Sequence, residues 1–190
     1  MQNLANQELK LKEAIHYLFY LSNGNPRKLN KTKVNKILWL FDGIMYIRTT
    51  KKPINIKFIK KKHGPLSPDI NKALTELENT EKLKVDNKNK IWITKAANTP
   101  KINHLSIEEI ELLSSLYSMI SLSKTKIAND ITHTKYWKTL NQNDEVNPIF
   151  ILETLAKIRK PKEDEVKEIT HLYKLYKENK VADEIKKQLA

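Results

Sequence analysis

The chain contains no cysteine, and only three glycines and seven prolines in 190 residues. Without cysteine there are no disulfides, no thiol nucleophile, no iron–sulfur cluster and no Cys-ligated zinc. Three glycines cannot build a phosphate-cradling P-loop or a GxGxxG dinucleotide turn. Scarce Gly and Pro also favour long helices over a turn-rich all-β fold. No apolar run approaches the roughly 20 residues that a bilayer span requires. The stretch from Met1 to Phe19 carries Glu8 and lacks a signal-peptide core and cleavage site, so a cytoplasmic location is expected. The five histidines form no HExxH or other paired-His metal motif. Ser, His and Asp are present without a nucleophile-elbow motif. These absences predict a chain with no catalytic residues, no metal and no cofactor.

What is abundant is positive charge. The 35 Lys and Arg against 22 Asp and Glu give a net charge of +13, with a pI near 9.6. Between Ala14 and Pro68 there are twelve Lys or Arg and a single acid, Asp42. So one-sided a field attracts an anionic partner, either an acidic protein face or nucleic acid. The candidate face comprises Arg27, Lys28, Lys31, Lys57, Lys60, Lys61 and Lys62, with His63 beside it. The competing view is a solvated surface that keeps the protein soluble; clustering makes the two about equal.

Hydrophobic spacing predicts a mainly α domain. A first helix is expected from Glu8 to Ser22, with Leu11, Ile15, Leu18 and Phe19 on its inner face and Gly24 and Pro26 beyond its end. A second runs from about Lys31 to Arg48 and is apolar on most sides, so it should be central. Alternation from Ile54 to Ile59 reads as a short strand. The tight turn His63-Gly64-Pro65-Leu66-Ser67-Pro68 follows. Pro68 suits the first turn of a helix to Asn79, with Ser67 as N-cap. A β-hairpin is expected from Leu83–Val85 and Ile91–Thr94, joined by a polar Asp86–Lys90 turn. Helix and basic hairpin together have a winged-helix-like outline.

Ser106 and Glu109 form a capping box for a fourth helix bearing Ile107, Ile110, Leu113, Leu116, Tyr117 and Ile120. A fifth is expected from Ser123 to about Thr132, and a short helical turn from Tyr136 to Leu140. Asn147-Pro148 opens another helix, reaching Arg159. Charged amphipathic helices from Lys162 to Asn179 and Val181 to Leu189 complete the chain. The expected division is a domain over 1–148 and a helical C-terminal extension over 149–190.

Individual residues carry competing readings. Asp42 lies inside an apolar helix, where a carboxylate is costly unless hydrogen-bonded. A structural partner that locks the core is about twice as favoured as a binding or catalytic acid. Gly43 beside it fits close helix packing. His133 and Trp137, four apart, share a helical face, so packing is favoured over metal ligation. The hairpin lysines Lys84, Lys88 and Lys90, with Trp92, could touch a nucleic-acid backbone as a wing. The helix before them carries Asp69, Glu76, Glu78 and Glu81 against a single Lys72, which argues against groove insertion. In the tail, Val166, Ile169, Leu172, Tyr173 and Tyr176 form one apolar stripe that must be buried somewhere.

Three segments together resemble the SocA-like antitoxin family, the Panacea domain. The first is Lys33 to Tyr46, an apolar-aromatic run through Trp39 and Phe41 into Asp42-Gly43. The second is Phe58 to Ala73, a strand running into Gly64-Pro65, a short spacer and a helix. The third is Thr132-His133 followed by Trp137. The resemblance covers about Leu9 to Pro148. It implies a mostly helical domain and an antitoxin role in bacteria, phages or mobile genetic elements. Members of the family meet diverse toxins by protein contact, and at least one delivers its toxin to a protease. A cognate toxin is therefore the first expected partner, a bacterial protease complex a possible second, and nucleic acid the alternative; the oligomeric state stays open. Trp39, Phe41, Asp42, Gly43, Gly64, Pro65, His133 and Trp137 are expected to be mainly structural. Partner contact is assigned to the basic face, His63, Leu172, Tyr173 and Tyr176. Lys61-Lys62 depart from the family pattern before the Gly-Pro turn, and the tail extends beyond the shared core.

Overall fold

The computed structural model describes residues 2–88, 91–123, 133, 135–147 and 151. The architecture is mainly helical, as the spacing predicts, with two small antiparallel hairpins where one was expected. In order it comprises α1 (Gln2–Ser22), α2 (Lys31–Thr49), β1 (Ile59–Lys61), β2 (Gly64–Leu66), α3 (Pro68–Asn79), β3 (Leu83–Lys88), β4 (Ile91–Ala96), α4 (Ile107–Leu122) and α5 (Lys135–Thr139).

Helix α2 is the axis. Every residue from Lys33 to Gly43 is buried, as its all-round apolar character dictates. Asn30 starts it, its side chain accepting the Lys33 N–H at 3.0 Å. Against α2 pack α4 and β2, while α1 packs on α3, α4 and β4. Leu11, Ala14, Ile15, Leu18 and Phe19 of α1 enter the core, each large one contributing about 1.5–3 kcal/mol. The capping box on α4 forms: Ser106 Oγ accepts the Glu109 N–H and Glu109 accepts the Ser106 N–H. Glu109 also meets Lys10 of α1 at 2.6 Å.

Several expectations need correction. Helix α1 begins at Gln2, not Glu8; once later turns are packed, polar residues extend a helix without needing a buried face. The run from Ile54 to Phe58 is not a strand. The Ile54 N–H goes to Asp42, and Asn55 adopts φ 46°, so the start of the run cannot join a ladder. The strand is Ile59–Lys61, and it folds back on Gly64–Leu66, pairing Lys61 with Gly64. What reads as a tight turn is therefore a hairpin, with Gly64 at φ 128°, a conformation that favours glycine. Ser67 stands at the N-cap of α3, but its side chain makes no capping bond; its backbone N–H is held by Asn35 instead. Strands β3 and β4 run further than expected, Asp86, Asn87 and Lys88 pairing with Ile93, Trp92 and Ile91. Ile107, expected on the inner face of α4, is 77 % exposed in its first turn. The expected helices over Ser123–Thr132, Pro148–Arg159 and the tail lie outside the described residues, Ile151 excepted; it is helical and buried in the core.

Candidate functional site

The site is built where the three sequence segments meet. Asp42 is 2 % exposed. Its Oδ1 accepts the Ile54 N–H at 3.0 Å, and its Oδ2 has no partner among the described residues. Burial pushes the carboxyl up to about 7, against the opposing pull of the Ile54 N–H, the Lys52 charge and the N–H groups of Asn55 and Ile56. Asp42 thus clasps the segment after α2. Trp39, Phe41 and Gly43 are buried around it.

Two turns earlier on the same face of α2, Asn35 does a related job. Its Nδ2 donates to Lys31 O at 2.8 Å, and its Oδ1 accepts the Ser67 N–H at 2.8 Å. That fixes the start of α3, just past the buried Gly64 and Pro65. Lys33, also buried, donates to Arg27 O at 2.7 Å and Ser121 O at 3.2 Å. Its ammonium sits at the C-terminal end of α4, where helix carbonyls favour a cation. Desolvation holds its pKa below the usual lysine value. Neither Asn35 nor Lys33 stood out in the sequence as a functional candidate; a polar residue amid an unbroken apolar run was the available signal.

The third segment closes on the second. His133 and Trp137 stack, ring centroids 4.9 Å apart. Lys60 Nζ lies 5.7 Å from the Trp137 ring centre and donates to Leu140 O at 2.6 Å. Backbone bonds from Lys60 N to Asp144 O and from Val146 N to Phe58 O zip residues 144–146 along the free edge of β1. Lys61 donates to Asn143 Oδ1 at 2.5 Å, and Lys57 pairs with Glu145 at 3.8 Å.

The predicted basic face is therefore divided. Lys57, Lys60 and Lys61 are engaged by the Leu140–Glu145 stretch, while Lys62 and His63 stand exposed at the hairpin tip. Arg27 and Lys28, between α1 and α2, and Lys31, at the start of α2, are exposed. Leu172, Tyr173 and Tyr176 lie outside the described residues. Among the described residues no group of three or more His, Asp or Glu is placed to hold a metal ion, and no helix is long and apolar enough to cross a membrane.

No curated protein and no solved structure is detectably similar to the chain. The family described as "Antitoxin SocA-like, Panacea domain" matches residues 34–138. That span contains the Asp42 clasp, the Gly64-Pro65 hairpin and the stacked Trp137, and it covers more than half of the 190 residues. The chain belongs to the SocA-like antitoxin family, as a Panacea-domain protein.

Proposed function

We propose that this protein is an antitoxin that neutralises a partner toxin by direct protein contact in the cytoplasm. The observation that carries the reading is the family match over residues 34–138. The geometry supports it in a particular way. The family segments are spent on internal contacts: Asp42 on Ile54, Asn35 on Ser67, Lys60 on Trp137 and Leu140. They build a scaffold, so recognition falls to what that scaffold displays. The exposed Lys62 and His63 tip is one such element; the apolar stripe of Leu172, Tyr173 and Tyr176 in the extension over 149–190 is the other. Charge at the tip steers an acidic partner, and apolar anchors hold it.

The test is co-expression. The open reading frame next to this gene is induced in a bacterial host with and without the present chain. Growth arrest by the neighbour alone, relieved by co-expression and accompanied by a co-purifying complex, is the expected result. A neighbour that is harmless, or whose toxicity this chain leaves unchanged, overturns the reading. Toxin abundance separates two modes: sequestration leaves it steady, whereas delivery to a protease lowers it in a protease-dependent way.

A further inference from the structure

A second surface lies away from the Asp42 clasp and the hairpin tip. On the solvent face of the β3–β4 hairpin, Lys84 and Lys95 are directly opposite each other in register, and both are exposed. Like charges in that position destabilise a hairpin. The Lys95 stem lies against Gly24: a Cβ at Gly24 would come within 3.1 Å of Lys95 Cβ. Gly24, at φ 69°, opens the turn that carries Arg27 and Lys28. This turn folds back on itself through Asn25, whose side chain accepts the Arg27 N–H.

Among the described residues, Lys10, Lys12, Arg48, Lys57 and Lys72 each meet a carboxylate. None of these ion pairs involves Arg27, Lys28, Lys84 or Lys95. Asp86, opposite Ile93, is the one acid among the described residues on that face of β3 and β4. Four residues before Gly24, in the last turn of α1, stands Tyr20, 46 % exposed. It borders a hollow of about 580 Å³ shared with Asn23, Ala96 and Asn98.

We propose that this surface binds single-stranded nucleic acid, with Arg27, Lys28, Lys84 and Lys95 on the phosphates and a base stacked on Tyr20. Uncompensated cations alone fit any anion. An exposed ring and amide groups beside them fit a strand whose bases are free, because stacking needs an unpaired π-face. An acidic protein would need an apolar anchor, and among the described residues the other exposed large apolar side chains, Leu4, Leu9, Ile107 and Leu122, belong to other parts of α1 and to α4. The proposal is independent of the antitoxin reading.

The experiment uses the full chain and a labelled thymidylate oligomer of about 12 nucleotides, followed by fluorescence anisotropy over a salt series. Saturable binding is expected at low salt. Four phosphate contacts to a single strand predict a slope of log K against log salt of about −3. Tyr20→Ala should lose about 10-fold in affinity while Tyr20→Phe keeps it. Lys84→Glu should weaken binding yet raise the Tm, because it turns the like-charge pair with Lys95 into an opposite-charge one. Opposite signs in one variant cannot come from misfolding. No saturable binding, equal or tighter binding of a duplex, an unchanged Tyr20→Ala, or displacement by polyglutamate at equal charge concentration would each overturn the proposal. A Lys84→Glu protein that loses the oligomer but still relieves growth arrest would separate this surface from toxin neutralisation.

Discussion

Asp42 shows how one residue can be a structural necessity and a liability at once. Its Oδ1 is needed by the Ile54 N–H, while its Oδ2 is buried with no partner among the described residues. Asp42→Ala should destabilise the protein by about 1–3 kcal/mol, the cost of leaving a buried N–H unmade. Asp42→Asn keeps the acceptor and removes the charge. With a folded pKa raised to about 7, the native state holds a proton that the unfolded chain has already lost. The stabilising contribution is full below about pH 4 and is lost as pH rises towards 7, by at most about 1.4 kcal/mol per pH unit. Urea denaturation at several pH values should show Asp42→Asn gaining on the wild type as pH rises from 4 to 7. A difference that is flat in pH would mean that the carboxyl is ionised throughout. Thr50 offers a second test at this scale. It closes α2 at φ 59°, a conformation that a β-branched residue adopts only under strain. Thr50→Gly should stabilise by about 1 kcal/mol, whereas Gly24→Ala, at φ 69° and facing Lys95, should destabilise by a similar amount.

Between elements, the decisive contacts are polar and distant in sequence. Glu13 of α1 accepts the N–H groups of Asn103, His104 and Leu105, and meets His104 Nδ1 at 2.6 Å. Burial pushes its carboxyl up, but these four donors together win and hold it below the usual range. Its sign is opposite to that of Asp42: the contribution is present above the unfolded pKa and fades as pH falls through the folded one. Glu13→Ala should cost about 2–4 kcal/mol at neutral pH and much less in acid, read by denaturation at both. Apolar periodicity revealed α2, α3 and α4 in the sequence because a buried face repeats locally. The capping box of Ser106 and Glu109 was legible for the same reason. The strand at Ile54 was misread because its neighbours come from far along the chain: Asp42 takes its first N–H, and residues 144–146 zip onto β1 instead. The basic face was half legible. Composition shows that Lys57, Lys60 and Lys61 are cationic, but not that Glu145, Leu140 and Asn143 engage them.

For the molecule as a whole, the open matter is how a scaffold whose family motifs face inward presents itself to a toxin. Residues 34–138 carry the family match; the stripe of Val166, Ile169, Leu172, Tyr173 and Tyr176 lies beyond it. The apolar face that the sequence predicts for a charged helix there must be covered, either by the chain's own core or by a partner. Truncation after Lys160 tells these apart. If the stripe docks on its own core, removing it exposes apolar surface, and the thermal midpoint should fall. If the stripe is a recognition element, the remaining domain should melt as before, because its core from Leu11 to Ile151 is retained, while co-purification of the toxin and relief of growth arrest disappear. The second outcome follows from the proposed function, which gives the stripe to the toxin. Loss of stability together with neutralisation would place the tail in the scaffold instead. A truncated protein that keeps both would leave the exposed Lys62 and His63 tip as the toxin contact, to be checked by reversing the charge at Lys62.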